Sequence, residues 1–301
     1  MIRRAIHLAS RSDRVRDLLM NSPATAPVSR RVVERFVAGS AAADALAAAA
    51  ALADAGILAT VDRLGEGTQD PAMATAATEA YLLLLDLADR AGLAEGLDVS
   101  VKLSALGQAL PGCGPKIAYE NASEICSRAR DLGVTVTLDM EDHTTTDCTL
   151  AILADLRRDF PDTGAVVQAQ LRRTPADCRD LARAGSRVRL CKGAYREPPS
   201  VAYQDRAEIR ASFAACLGIL MAGPGYPMVA THDPRLIELA GRLAARFGRP
   251  AGSFEYQMLY GVRPDAQRRL AAAGNRMRVY IPFGPDWYGY LLRRLAEKPA
   301  N

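Results

Sequence analysis

The chain has 301 residues, 49% of them hydrophobic and 24% charged, which is enough for one large globular domain or two ordinary ones. The net charge of +4 is small for this length and no dense basic tract occurs, so charge gives no support for nucleic-acid binding. The three histidines and six cysteines form no CxxC, HxxxH or mixed cluster, which argues against a zinc site and favours free thiols in a reducing compartment.

The first 54 residues predict an N-terminal helical arm packed on the domain that follows. Residues 1–17, MIRRAIHLASRSDRVRD, are rich in arginine and are open to two interpretations, a mitochondrial presequence or an amphipathic first helix. Asp13, Asp17 and the lack of a cleavage-like boundary favour the helix. The alanine-rich run at 41–55 is interrupted by Asp44 and Asp54 and is too short for a bilayer, so it predicts a packed helix.

From residue 55 onward, β-branched runs alternate with longer helical patterns. Several of the helical patterns, such as 71–92, 119–133, 174–185 and 234–248, end at a glycine, as helix C-caps commonly do. No GxGxxG turn is present, which disfavours a doubly wound nucleotide-binding sheet. Residues 55–301 therefore predict an α/β fold, a (β/α)8 TIM-type barrel. Its eight strands are predicted at 57–65, 98–106, 134–142, 164–170, 187–193, 226–233, 253–261 and 276–284.

The last pattern, WYGYLLRRLAE at 287–297, predicts a helix with leucines on one face and polar side chains on the other. Spacing alone favours a solvated polar face, with Arg293 and Glu297 as an ion pair one turn apart. The leucines are Leu291, Leu292 and Leu295, and the other face carries Tyr290, Arg293, Arg294 and Glu297.

Polar residues near the strand ends are the candidates for chemistry, because that rim carries the active site of such barrels. Lys102 lies in an otherwise apolar strand, where it either serves the site or pairs with a carboxylate. Asp139 and Glu141 share one face of the third strand and fit an acid–base pair, a metal site or ion pairs with nearby cations. Arg189 lies mid-strand, where an unpartnered charge is costly. Further candidates, each with a structural explanation as well, are Gln168, Gln170, Lys192, Gly193, Thr231, His232 and Tyr280.

Cations and hydrogen-bond donors from several strands at one rim indicate an anionic cofactor and a small charged substrate. At this point the chain resembles the proline dehydrogenase family in its stand-alone bacterial form. The resemblance covers residues 55–301 and rests on specific motifs in family order. These motifs are VKLSAL, LDMED, LCKGAYREPP, ATHD, FEYQMLYG and RVYIPFG…WYGYLLRRLAE.

The resemblance implies an activity with its cofactor and partners. It implies FAD-dependent oxidation of L-proline to Δ1-pyrroline-5-carboxylate, with hydride passing from proline C5 to flavin N5 and electrons passing to a membrane quinone. A separate pyrroline-5-carboxylate dehydrogenase is then expected to oxidise the product. The implied location is the bacterial cytoplasm with peripheral contact at the inner membrane, or the mitochondrial matrix if the N-terminus is a presequence.

The resemblance also implies roles for particular residues. Asp139 and Arg189 correspond to catalytic residues, with Arg189 near flavin N5, and Arg293 and Arg294 to the pair that clamps the substrate carboxylate. Glu297 corresponds to the acid that helps to hold the final helix. Other implied substrate-binding residues are Lys102, Tyr195, Leu259, Tyr280 and Tyr290. Implied FAD contacts are Met140, Gln168, Arg189, Lys192, Gly193, Ala194, Thr231 and His232.

Three positions refine the resemblance. Asp233 stands where the family often has Asn, which puts contacts to the adenosine part of FAD in doubt. Arg196 stands where bifunctional relatives carry Trp, which agrees with the stand-alone type. Tyr280 corresponds to the tyrosine that crowds proline C4, so hydroxyproline is expected to be a poor substrate.

The residues by themselves leave two other functions open. One is a phosphate-binding barrel isomerase or aldolase in which Lys102 forms a Schiff base. The other is a non-catalytic protein that binds flavin or an amino acid. Borohydride trapping and a flavin spectrum that proline does not bleach are the respective signs of these alternatives.

Overall fold

The computed structural model describes residues 33–183 and 186–297, without the side chains of residues 183, 293 and 295–297. Eight parallel strands form a closed barrel, which confirms the predicted fold class. The strands are β1 (Leu58–Arg63), β2 (Asp98–Val101), β3 (Thr135–Leu138), β4 (Gly164–Gln168), β5 (Arg187–Cys191), β6 (Tyr226–Ala230), β7 (Glu255–Leu259) and β8 (Met277–Phe283). The helices are α1 (Ala42–Ala53), α2 (Pro71–Arg90), α3 (Gly114–Asp131), α4 (Thr146–Leu156), α5 (Thr174–Arg183), α6 (Arg206–Ala222), α7 (Pro234–Arg246), α8 (Pro264–Ala272) and α9 (Trp287–Glu297).

The strands bury apolar residues on one face and polar residues on the other. Each strand pairs with its neighbour in chain order, and β8 pairs with β1 to close the barrel. Side chains alternate between faces along a strand, so Val61 and Val99 pack with the helices in the main core. Asp62 and Ser100, their neighbours in the same register, are fully buried on the inner face. The barrel interior of this protein is therefore a polar chamber.

Helix α2 shows how the sequence encodes one unit of the wall. Asp70 caps its N-terminus by accepting a hydrogen bond from the backbone N–H of Met73 at 2.9 Å, and a proline follows the cap. Gly92, at φ 69°, ends the helical pattern, as predicted. The buried Leu84 faces the barrel and contributes about 1.5–3 kcal/mol. Tyr81 donates its hydroxyl proton to the carbonyl oxygen of Ser100 at 2.8 Å, which ties α2 to the strand beneath the site.

The predicted strands extended too far at their C-terminal ends. Strands β2 and β3 end at Val101 and Leu138, so Lys102 and Asp139 lie just beyond the regular ladder. The backbone turns there into βα loops, and the apolar–polar alternation continues for a few residues after the inter-strand hydrogen bonds have ended. This shift places the polar candidates at the rim of the barrel rather than inside the sheet.

The first and last described helices occupy different places. Ala45, Leu46 and Ala49 of α1 belong to the main core, and α1 packs against β1 and β8, which confirms the predicted packed helix. Residues 1–32 of the predicted arm, including the predicted helix over 1–17, lie outside the described residues. No helix in the part of the chain that the structure describes is long and apolar enough to cross a bilayer.

Helix α9 belongs to a separate small cluster at the C-terminal rim of the barrel. There Tyr290 and Leu291 pack with Leu64, which follows β1, and Val262, which follows β7. Tyr290 was expected on the polar face opposite the leucines, but it is buried. The reason is that α9 contacts the barrel rim with more than its leucine face.

Candidate active site

Asp139 is the centre of the polar chamber, just beyond the C-terminal end of β3. Its Oδ1 accepts hydrogen bonds from Ser100 Oγ at 2.7 Å and from Arg189 Nη1 at 2.9 Å. Its Oδ2 accepts the hydroxyl proton of Tyr280 at 2.7 Å and lies 3.4 Å from Lys102 Nζ. Burial would raise the pKa of Asp139, but Lys102 and Arg189 outweigh it and lower that pKa below its ordinary value. Asp139 is therefore a carboxylate that orients four donors.

Arg189 projects from β5 into the middle of the chamber and is 4% exposed. Besides Asp139, it donates to Ser100 Oγ at 2.8 Å, to Gln257 Oε1 at 2.7 Å and to Asp98 Oδ2 at 3.1 Å. These bonds from three neighbouring strands and one rim residue fix the plane of the guanidinium. Its Cζ also lies 5.3 Å from the ring centroid of Tyr280. The buried charge that the sequence flagged as costly is thus fully compensated.

Lys102 lies between two carboxylates and is closer to the one that the sequence did not single out. Its Nζ is 2.7 Å from Asp62 Oδ1 on β1, compared with 3.4 Å from Asp139. Burial alone would lower the pKa of Lys102, but Asp62, Tyr280 and Asp139 raise it well above its ordinary value. Burial raises the pKa of Asp62, opposed by Lys102. The lysine therefore carries the proton.

A second ionic layer lies beneath this site, towards the N-terminal ends of the strands. Asp98 is fully buried and accepts from Arg187 at 3.2 Å as well as from Arg189. Glu255 accepts from Arg278 at 2.8 Å and from the amide of Gln257 at 2.5 Å. Gln257 therefore connects the two layers. Charges that would each be costly to bury are paired into a continuous network across the barrel.

The rim at β5 and β6 carries cations. Lys192 Nζ and Arg210 Nε both donate to Asp233 Oδ2, at 3.1 Å and 3.2 Å. Asp233 also caps α7 through the backbone N–H of Arg235, and its own backbone N–H donates to the hydroxyl of Thr231. The acid at 233 therefore organises two cations and a helix start at once.

Gly193 lies where β5 leaves the barrel, with φ 101°, a conformation that favours glycine. A Cβ at this position would come within 2.4 Å of the Gln170 side chain, so the backbone passes very close to that amide. Gln170 donates in turn to the carbonyl oxygen of Tyr195 at 3.1 Å. The turn that contains Ala194 is therefore held against the end of β4. On the same side, the Gln168 amide donates to the Glu141 carbonyl oxygen at 2.7 Å and Met140 is buried.

His232 is a neutral imidazole at the end of β6. Its Nε2 accepts the backbone N–H of Leu259 at 2.9 Å, so the ring proton resides on Nδ1. Burial and the positive charges of Arg294, Arg263 and Lys192 lower the pKa of His232 to about 4. This histidine therefore offers a donor rather than a charge at neutral pH.

Helix α9 brings the terminal arginines to the same rim. Arg294 Cζ lies 5.4 Å from the ring centroid of the buried Tyr290, and Leu259 packs against the same cluster. The effect of Arg294 on the pKa of His232 places its charge near the end of β6. The Arg293 and Glu297 side chains lie outside the described residues.

Glu141 does not share the partners of Asp139, although the two residues were expected on one strand face. Its carboxylate accepts from the Ser104 hydroxyl at 2.5 Å and from the Ser104 backbone N–H at 3.1 Å. It thereby ties the loop after β2 to the loop after β3. Within the described part of the chain, no group of three or more His, Cys, Asp or Glu side chains is placed to hold a metal ion.

Sequence reasoning missed several members of the network. Asp62, Asp98 and Gln257 each contact a residue that the sequence did single out. The available indication was a polar residue inside a strand of otherwise apolar character, such as ATVDR or EYQML. That indication identifies a candidate but not its partner, because the partner lies on a different strand.

Comparison with known proteins agrees with this geometry. Residues 45–301 match the family model described as proline dehydrogenase. The chain is 39% identical over 272 residues to a proline dehydrogenase of Deinococcus radiodurans, covering 90% of this chain and 87% of that protein. It is 37% identical over 273 residues to proline dehydrogenase 1 of Bacillus subtilis, covering 91% and 89%.

A solved structure shows the same fold. The crystal structure of proline utilization A from Bdellovibrio bacteriovorus, inactivated by N-propargylglycine, matches with a TM-score of 0.86 and 26% sequence identity. The match covers 100% of this chain and 37% of that one, so this chain corresponds to a little over a third of the larger protein.

The fold and site together define a TIM-barrel oxidoreductase. The chain belongs to the proline dehydrogenase family, whose members are FAD-dependent. The residues present fit that cofactor: Lys192 and Arg210 supply positive charge at one rim, suited to a diphosphate, and the neutral His232 supplies a ring N–H beside it. Arg189, beneath the rim, supplies the charge that a reduced flavin ring requires.

Proposed function

We propose that this protein oxidises L-proline to Δ1-pyrroline-5-carboxylate as an FAD-dependent proline dehydrogenase. The observation that carries the proposal is the convergence of Lys102, Arg189 and Tyr280 on Asp139, at the rim of a barrel that belongs to this family. FAD, when bound, accepts the hydride that leaves proline C5. The protein itself supplies orientation, charge and exclusion of water.

Within this proposal, Arg189 and Asp139 prepare the reaction electrostatically. Arg189 places a fixed positive charge where negative charge develops, and Asp139 holds that guanidinium at 2.9 Å. Tyr280 is held by the other oxygen of Asp139 and forms one wall of the substrate pocket. A substrate whose amine is neutral has the nitrogen lone pair that drives hydride loss from C5, so turnover increases as the substrate amine deprotonates.

We assign recognition of the substrate carboxylate to Arg293 and Arg294. A planar guanidinium binds a carboxylate through two parallel hydrogen bonds, which fixes the ring as well as the charge. The support is the position of Arg294 beside the buried Tyr290 on a helix that packs on the rim. Lys102, Tyr195, Leu259, Tyr280 and Tyr290 complete the proposed pocket, and Met140, Gln168, Arg189, Lys192, Gly193, Ala194, Thr231 and His232 the proposed FAD contacts.

The Schiff-base alternative is less consistent with the lysine environment. A lysine that forms a Schiff base must lose its proton to become a nucleophile. Lys102 instead lies between two buried carboxylates that favour its charged form.

The finer calls remain part of the proposal. The electrons pass to a membrane quinone, and a separate pyrroline-5-carboxylate dehydrogenase takes the product. The protein works in the bacterial cytoplasm, at the surface of the inner membrane, as a barrel of residues 55–301 with an arm of residues 1–54. The bacterial relatives support the location, and the packing of α1 on the barrel supports the arm.

The visible spectrum under anaerobic conditions tests the proposal. Protein supplied with FAD should show a flavin spectrum that L-proline bleaches. Arg294→Ala should keep the spectrum but need about 10–100-fold more proline, because one charge-assisted contact is lost. Arg242→Ala, an exposed arginine on α7, is the matched control and should behave like the wild type. A yellow protein that proline does not bleach would refute the substrate, and a protein that stays colourless with FAD would refute the cofactor.

A further inference from the structure

Asp62 is the acid nearest to Lys102, and it is completely enclosed. Its side chain is 1% exposed, and its Oδ1 lies 2.7 Å from Lys102 Nζ. Asp139 lies farther from the lysine, at 3.4 Å, and accepts shorter bonds from Ser100, Arg189 and Tyr280. Asp62 is therefore the principal counter-ion of Lys102.

Every element packed around the lysine contributes a group that affects its charge. Asp62 comes from β1, Tyr280 from β8, Tyr81 from α2 and Asp139 from the end of β3, and each of them favours the ammonium form. Burial opposes them, and Lys102 is only 6% exposed. Because Asp62 is the largest favourable contribution, its removal should change the charge of Lys102 more than any other single change.

The charge of this lysine matters because of the proposed product. Δ1-Pyrroline-5-carboxylate is an imine, and its C5 is an electrophile. A neutral lysine amine would add to C5, forming an N–C bond while the C=N electron pair moves to the ring nitrogen, which takes up the proton released by the amine. An ammonium ion has no lone pair and cannot add.

We propose that Asp62 is a positioning residue that keeps Lys102 as an ammonium ion, so that the lysine attracts the substrate carboxylate and does not add to the imine product. The inference rests on the proposed function for its purpose. The charge state of Lys102 itself can be measured without turnover.

Reductive alkylation measures that charge state. The full chain, loaded with FAD, is incubated with glyoxylate and cyanoborohydride over a range of pH, and modified lysines are quantified by peptide mass spectrometry. Glyoxylate is a small aldehyde that carries a carboxylate. The neutral amine condenses with it to an imine and water, and cyanoborohydride supplies the hydride, and solvent the proton, that reduce the imine to a secondary amine. Lys116, whose side chain is 75% exposed, reports general amine reactivity in the same sample.

The decisive variant is Asp62→Asn, which keeps the shape and removes the charge. The neutral fraction of an amine rises about tenfold for each unit by which its pKa falls. We expect Lys102 in Asp62→Asn to be modified at least about ten times faster than in the wild type, with Lys116 unchanged. Glu255→Gln is the matched control, because it takes a buried carboxylate from Arg278 at the other end of the barrel. Equal Lys102 rates in the wild type and Asp62→Asn, or an equal increase in Glu255→Gln, would overturn the proposal.

A second variant covers a failure to fold. If Asp62→Asn does not fold, Asp62→Asn combined with Lys102→Met removes both partners, and the double variant should fold because no buried charge is left without a partner. A double variant that also fails to fold would count against the proposal. Bleaching by proline is recorded in parallel with the labelling. Its absence in the wild type removes the proposed function, while the labelling result still decides the role of Asp62.

Discussion

Replacing Ser100 with alanine should damage both stability and turnover, because this fully buried hydroxyl connects the two central charges of the site. It donates to Asp139 at 2.7 Å and accepts from Arg189 at 2.8 Å. Each hydrogen bond to a charged group contributes about 1.5–3 kcal/mol. Because Asp139 and Arg189 keep their direct contact, we expect a loss near the lower end, about 2 kcal/mol in the free energy of unfolding. For a domain of this size that loss corresponds to a fall in Tm of about 4–8 °C.

Turnover should fall by about tenfold in the same variant, since a loss of ~1.4 kcal/mol in transition-state stabilisation follows from a less firmly held guanidinium. Calorimetry and steady-state kinetics with proline measure the two effects. Ser104→Ala is the matched control: it removes a hydroxyl that donates to Glu141 and accepts the Gly67 backbone N–H at 3.0 Å. It should lower Tm while leaving kcat near the wild-type value. If Ser100→Ala changed neither Tm nor kcat, or if both variants lost kcat equally, the network would not have the role assigned to it.

Three further outcomes follow from the site. His232 has a pKa of about 4 in the folded protein against 6.5 when unfolded, so the unfolded chain takes up the proton first as pH falls. The free energy of unfolding should therefore drop by about 3 kcal/mol between about pH 6.5 and pH 4, and denaturant titrations of His232→Asn should lack this component. Gly193→Ala should lower Tm and the FAD content of the purified protein, because its Cβ would meet Gln170 at 2.4 Å; normal FAD content would contradict the assigned close approach. Tyr280→Ser should gain activity on hydroxyproline relative to proline, and an unchanged substrate ratio would remove Tyr280 from the pocket wall.

The barrel itself could be predicted from the sequence because its cause is local. Each strand–helix unit carries its own apolar alternation, helix cap and terminating glycine, as in the segment from Asp70 to Gly92, and eight such units in succession allow few other closed arrangements. The strand ends were harder, because alternation continues past the last inter-strand hydrogen bond at Val101 and Leu138. The difference decided whether Lys102 and Asp139 lay inside the sheet or at its rim.

Part of the site was also visible in the sequence. A charge inside an apolar strand is costly, so Lys102, Asp139 and Arg189 stood out without any knowledge of their neighbours. Their partners could not be predicted in the same way. Asp62 and Asp98 reach Lys102 and Arg189 only because barrel closure and strand register bring separate strands together. The sequence paired Lys102 with Asp139, and the structure adds a closer partner.

The sequence by itself therefore determined the fold class and the family, because both depend on patterns within single segments and on motifs in a fixed order. Only the tertiary structure decided which carboxylate holds Lys102, why His232 is neutral, and how Tyr290 comes to be buried at the rim. These properties depend on distances between residues far apart in the chain. Electrostatic interactions and burial are set by those distances and not by sequence spacing.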